Sequence, residues 1–162
     1  MVLPITIESN KILHEVTKEL TLADLQTEKF KTLVTDMAET MYLKDGVGIA
    51  ANQVGVPWQV CVISKQFAED KNQDLILVNP RWEKMSIRKN WGTEGCLSVP
   101  LTYGDVKRYS KIKVQALDIN GKPITFAADN FFARIIQHEV DHLNGILFIE
   151  KAKNIHRVEP EM

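Results

Sequence analysis

The stretch 131–145 reads FFARIIQHEVDHLNG and constrains the fold more than any other part of the chain. Positions four apart share one helix face, so a helix here sets His138 and His142 side by side, both able to aim an imidazole at one metal ion. Glu139 lies beside them, within reach of a water on that ion, where a general base belongs. Phe132, Ile136, Val140 and Leu143 make one apolar stripe, and Phe131 and Ile135 lead into the histidine face. A helix apolar over most of its circumference is a buried one. Buried imidazoles and carboxyls are costly unless paired or bound to a metal, so burial and motif point to the same chemistry. Asp129 or Asn130 is placed to cap the start, and Gly145 to end the helix in the left-handed conformation. The competing reading is a pair of hydrogen-bonded core histidines beside a solvated glutamate.

At 162 residues the chain fits a single domain, 1–162, with a real core. With 20 basic and 21 acidic residues and a net charge of -1, it lacks the electrostatic footprint of a protein that binds nucleic acid or an anionic membrane. No apolar run reaches the length of a membrane-spanning helix, and MVLPITIES is not a secretory leader. Two cysteines make no disulfide framework, so the expected compartment is a reducing cytoplasm.

Residues 1–20 read as a surface segment. Residues 25–44 carry Phe30, Leu33, Val34, Met37 and Met41 at helical spacing, with Thr21 as a cap and Asp45-Gly46 as the end. In GVGIAANQ (46–53), two glycines and two alanines let backbone run close to a ligand or another strand. Gln53 closes the run with an amide able to donate to a developing oxyanion. Strands are expected at 59–64, 74–79 (ended by Pro80), 82–89 and 111–119, followed by a turn at Asn120-Gly121 and a return strand at 122–127. Cys61 lies among Val60, Val62 and Ile63 and reads as a small buried hydrophobe. Cys96 lies in a glycine-flanked segment, 92–100, read as a shaped loop.

A catalytic metal site needs three protein ligands and an open position. A third histidine six residues past His142 is excluded, because that position is Phe148. Glu150, Glu159 and Glu161 follow too closely, or too near the end of the chain, to come from a later helix. Cys96 is the better candidate.

The chain then shows three motifs in order: GxGxAAxQ as Gly46, Gly48, Ala50, Ala51 and Gln53; EGCLS at 94–98; and HExxH, preceded by Gln137 and including Asp141. Together they resemble the peptide deformylase family, over about 11–150. The resemblance implies an α+β fold with antiparallel sheets packed around a central metal-bearing helix. It implies removal of the formyl group from the N-terminal formyl-methionine of newly made polypeptides, with release of formate. It implies a metal held by Cys96, His138 and His142, Fe(2+) in the first place with Zn(2+) or Ni(2+) able to substitute. Glu139 would be the base, and the Gln53 amide and Leu97 backbone N–H would stabilise the oxyanion. Val47, Gly48, Ile49, Phe131, Ile135 and the stem of Arg134 would bind substrate, with backbone at Val47 and Ile49 pairing to the peptide. Glu94 would pair with Arg108 and fix the Cys96 loop, and Asp141 would orient the helix or a ligand imidazole.

The sequence departs from the family in places. Ser9 to His14 replaces the usual Pro-Asp and Leu-Arg pattern. Tyr103 stands where some members have a basic residue near the peptide path. The chain stops soon after Arg157, short of the long C-terminal helix by which several bacterial members dock on the ribosome. The expectation is therefore a bacterial or phage-encoded rather than organellar protein, monomeric, near the ribosome but not docked by that route. Two other readings stay open: a metal-dependent amidase or peptidase of different specificity, and a closed four-ligand zinc site that adds Cys61.

Overall fold

Residues 60–63 set the architecture. Val60 and Val62 point to one side of their strand, Cys61 and Ile63 to the other, and all four are fully buried. A strand buried on both faces needs a cover on each. The computed structural model, which describes residues 1–160, supplies both covers within an α+β fold.

In chain order the elements are α1 (Leu22–Leu25), α2 (Glu28–Leu43), β1 (Gly48–Ala50), β2 (Val60–Ile63), β3 (Leu75–Lys84), β4 (Lys89–Cys96), β5 (Val99–Tyr109), β6 (Lys111–Leu117), β7 (Pro123–Asp129), α3 (Asn130–Leu143) and β8 (Lys153–Arg157). Five strands form one antiparallel sheet in the order β1-β2-β3-β6-β7. Three form a second, β4-β5-β8. On one face of the larger sheet, Phe30, Leu33, Val34, Met37 and Met41 of α2 pack on Ile49, Val60, Val62 and Val78. On the other, Ile136, Val140 and Leu143 of α3 pack on Cys61, Ile63, Leu77, Ile112 and Val114. Each large apolar side chain buried this way contributes roughly 1.5–3 kcal/mol. The smaller sheet meets α3 from the other side and encloses Leu13, Val99, Val106, Leu147 and Phe148.

The last turn of α3 is tied off tightly. Gly145 takes φ 78°, its N–H donates to the His142 carbonyl at 3.0 Å, and Ile146 N–H donates to the Asp141 carbonyl at 2.9 Å. This is the paired-bond C-terminus that favours glycine. A Cβ at 145 would also meet the backbone of His14 and Glu15 at 2.8–2.9 Å.

Several expectations are corrected. The segment 1–20 is more than surface, since Leu13, Thr17 and Leu20 are buried and Thr6, Glu8 and Thr17 donate backbone hydrogen bonds to Gln53, Ser98 and Leu143. The expected helix at 25–44 is α2 and starts three residues later, capped by Thr27, because Thr21 instead closes a capping box with Asp24 on a separate single turn, α1. Strand β3 does not stop at Pro80; the register shifts between Val78 and Arg81, and a bulge accommodates the missing N–H. The span 82–89 is not one strand but the end of β3, a turn and the start of β4. The segment 92–100 is not a free loop: its first half completes β4, and it leads into β5, an eleven-residue strand hidden from sequence reading by Pro100, Gly104 and Asp105. Neither proposed cap of α3 makes a side-chain bond; Asp129 holds the cap position, and Asn130 sits at φ 51°. Glu161, weighed above as a ligand, lies outside the described residues.

Candidate active site

The site forms where α3 passes the end of β4. His138 and His142 project from successive turns of α3, and Cys96 is the last residue of β4. Cys96 Sγ lies 3.2 Å from His142 Nε2, which lies 3.2 Å from His138 Nε2. One atom from each residue falls within 4.8 Å of the others, a grouping that could hold a metal ion. Cys61 is not part of this grouping; it is packed in the core and burial pushes its thiol well up. A closed four-ligand site is thereby overturned.

The donor chemistry fits a divalent ion: one soft sulfur and two imidazoles, with a side left open. Burial pulls the His138 imidazole down, yet the hydrogen bonds to Cys96 and Glu94 outweigh it and lift the group to about 10. Burial and the neighbouring His138 hold His142 well below its ordinary value, in the neutral form that can ligate.

A buried ionic layer stands behind His138. Its Nδ1 lies 2.8 Å from Glu94 Oε1. Arg108 donates to both oxygens of Glu94, at 2.8 and 2.9 Å, and to Asp141 Oδ2 at 2.6 Å. Arg134 donates to Glu94 Oε2 at 2.6 Å and to the carbonyls of Val106 and Asn90. Burial alone would raise the Glu94 carboxyl; the Arg108 and His138 bonds overcome it and hold the group well below the usual range. Asp141 does not touch an imidazole: it pairs with Arg108 and, at 3.0 Å, with Lys151. The carboxylate that meets the His138 imidazole is Glu94. Gln137 fastens α3 to β5, accepting from Tyr109 N–H at 3.1 Å and donating to its carbonyl at 2.9 Å.

Glu139 is buried at the wall of a cavity of about 520 Å³. Burial raises its carboxyl to about 7, Glu94 adding to the rise while His138 and Arg108 oppose it. A carboxyl near neutrality is suited to taking and returning a proton. Gly48 makes room for it: a Cβ there would lie 2.7 Å from Glu139 Oε2. Gln53 lines the same cavity; its Nε2 lies 3.4 Å from Cys96 Sγ and 3.2 Å from Ser98 Oγ, and its Oε1 accepts from Ala50 N–H at 2.9 Å.

Val47, Gly48, Leu97, Phe131, Arg134 and Ile135 all line this cavity. Ile49 does not. Its side chain is fully buried on the α2 side, and its backbone turns to Val62 of β2 rather than to the open edge of β1, against the expectation that it pairs with the peptide. Sequence reading missed Ser98, the guanidinium of Arg134 and Asn52, whose Nδ2 donates to the His142 carbonyl at 2.6 Å. Arg134 stands four residues before His138, a spacing that could have shown it. Asn52, a polar residue between Ala51 and Gln53 in an otherwise small-residue run, was the signal for the last.

A thiol, two imidazoles and a buried carboxyl at the wall of a cavity make the site of a metal-dependent hydrolase of the HExxH kind. The family model for polypeptide deformylase matches residues 2–158. The peptide deformylase of Aquifex aeolicus is 40% identical over 97% of this chain and 91% of that protein. That of Symbiobacterium thermophilum is 41% identical over 99% of this chain and 71% of that protein. The structure of a class I type b peptide deformylase from Acinetobacter baumannii with Met-Ala-Ser bound superposes with a TM-score of 0.85, at 35% identity, covering 93% of this chain and 99% of that one. The chain belongs to the polypeptide deformylase family. It is an enzyme whose reaction takes the formyl group from the N-terminal formyl-methionine of new polypeptides.

Proposed function

We propose that residues 1–162 act as one catalytic domain that works with Fe(2+), for which Zn(2+) or Ni(2+) can substitute, held by Cys96, His138 and His142. The grouping of those three residues beside Glu139 carries the reading. A divalent ion held there would acidify water toward neutrality and draw charge from a carbonyl oxygen. A thiolate with two imidazoles binds zinc more tightly than iron on intrinsic grounds, so iron loading is a matter of supply.

Glu139 takes the proton of the attacking water on a carboxylate oxygen and returns it to the leaving amine. Gln53 Nε2 and the Leu97 backbone N–H donate to the formyl oxygen as it gains charge. Glu94, anchored by Arg108 and Arg134, holds His138 at Nδ1, so that Nε2 is the nitrogen free to ligate. Asp141 steadies Arg108. The methionine side chain occupies the apolar wall of Val47, Gly48, Leu97, Phe131, Ile135 and the stem of Arg134. The peptide backbone adds to the open edge of the sheet beside the Val47 N–H and Gly48, whose backbone faces away from β2. The substrates are N-formylmethionyl peptides of nascent chains in a bacterial or phage-infected cytoplasm. The bacterial relatives support this setting, and no helix is long and apolar enough to cross a membrane. The enzyme acts as a monomer near the ribosome and requires neither nucleic acid nor membrane.

The test is formate release from formyl-Met-Ala-Ser by anaerobically prepared protein loaded with iron or nickel, beside Glu139→Ala. Release by the parent, with the variant still metal-bound and slower by roughly 10²- to 10⁴-fold, is expected. Equal rates would remove Glu139 from its role. A metal-bound parent without activity on formyl peptides would overturn the substrate assignment.

A further inference from the structure

Two buried side-chain atoms lack a hydrogen-bond partner among the described residues: Asn52 Oδ1 and His142 Nδ1. Both residues are fully buried, and they are already joined. Asn52 stands in the short turn after β1, next to Gln53, and its Nδ2 donates to the His142 backbone carbonyl at 2.6 Å. Only the NH₂ end of the amide can make that bond, so the amide's orientation is fixed and Oδ1 is its open end. On His142, Nε2 faces Cys96 and His138. An imidazole that offers its Nε2 lone pair to an ion carries its proton on Nδ1, and a buried N–H needs an acceptor. His138 meets that need with the Glu94 carboxylate. His142 has no such carboxylate, but the open acceptor of Asn52 belongs to a side chain already fastened to it.

We infer that Asn52 is the positioning residue for His142: its Oδ1 takes up the Nδ1–H, directly once the ring turns or through one buried water, and so holds the ring in the tautomer that ligates. A water joining the two atoms would have the two polar partners it requires. The turn at 51–54 then braces two of the three ligands with consecutive side chains, Asn52 on His142 and Gln53 on Cys96. Glu94 braces the third. This inference rests on the Cys96–His138–His142 metal reading and extends it to a residue outside the cavity wall.

The experiment uses zinc-loaded parent, Asn52→Ala and Asn52→Asp. Alanine removes both ends of the amide. Aspartate loses the donor to the carbonyl but keeps an acceptor oxygen. Imidazole ¹⁵N NMR of the parent is expected to show His142 protonated on Nδ1, with that proton slow to exchange. Asn52→Ala is expected to release zinc to a chelator about 10- to 100-fold faster, with the Nδ1 proton exposed to exchange, while Asn52→Asp stays nearer the parent on both readouts. Parental release by Asn52→Ala would overturn the inference, as would aspartate behaving like alanine. Should Asn52→Ala not fold, the parent spectrum decides: a proton on Nε2 of zinc-loaded His142 overturns the inference, and a slow Nδ1 proton upholds it. A parent that binds no zinc would instead overturn the metal reading beneath it.

Discussion

The two sheets press on α3 from opposite sides with opposite chemistry. Against the five-stranded sheet, α3 presents Ile136, Val140 and Leu143 to Cys61, Ile63, Leu77 and Val114. Against the three-stranded sheet, it presents His138, Arg134 and Asp141 to Glu94 and Arg108. The apolar layer lowers the free energy of the fold. The ionic layer contributes little net stability, because desolvation of Arg108, Glu94, Arg134 and Asp141 offsets much of their attraction. What it gives is direction: bidentate bonds on Glu94 leave its carboxylate one orientation in which to meet His138. One helix thus separates holding the fold from aiming the proposed ligands, with a different sheet assigned to each task.

Arg108→Met tests this division most severely. It leaves Glu94 and Asp141 buried beside a neutral side chain and should cost about 3–5 kcal/mol of stability, read by denaturant unfolding, with metal affinity lowered as well. Leu77→Ala in the opposite layer should cost a comparable 2–5 kcal/mol, yet leave kcat/KM of the folded fraction and its metal content at parental values. Equal loss of metal in both variants would erase the distinction between the layers. The two should also part at low pH. Glu94 is held below its usual value of 4.5 in the folded state, so the stability it contributes is complete above that value and is lost as the pH falls from there toward the folded one. The parent and Leu77→Ala should share that acid dependence, while Arg108→Met, lacking the principal partner, should show less of it.

A smaller effect is expected at the seam between the layers. Gly48→Ala drives a methyl into Glu139. Displacement of the base by about 1 Å should lower kcat by about 10²-fold, with zinc affinity and the thermal midpoint close to those of the parent. An unchanged kcat would show that Glu139 has freedom to move.

The apolar layer was legible in the sequence because it is periodic. The helical spacing of Phe30, Leu33, Val34 and Met37 and the β-branched run at 60–63 each announce their element. The proposed ligands were legible because the spacing of His138 and His142 is local in α3 and because few thiols were available. The ionic layer was legible only as the pair Glu94–Arg108; the bonds from Glu94 to His138 and Arg134 join residues forty or more positions apart, and no local pattern encodes them. Strand β5 was missed for a related reason. It alternates buried and exposed residues, but its buried positions include Gly104 and Arg108, which no hydrophobic pattern marks. Asn52 was passed over because its partner is a backbone carbonyl ninety residues away.

The two cysteines bring the same contrast down to one residue type. Cys61 belongs to the apolar layer, fully buried and paired in register with Ala50 and Leu77. Cys96 ends β4, half-buried, with its sulfur at the imidazoles. Cys61→Ala should cost only about 1 kcal/mol, the value of one small apolar group, and should leave zinc content and formate release unchanged. Cys96→Ala removes one of the three proposed ligands and should leave a protein that folds but does not retain the ion through gel filtration. As a proposed iron ligand outside the core, the Cys96 sulfur is also the one open to oxidation, so aerated storage of iron-loaded protein should abolish activity in the parent and in Cys61→Ala alike. If Cys61→Ala instead lost its metal or resisted air, the sulfur in the core would share the ligand's work, and the separation of the two layers would fail where they lie closest.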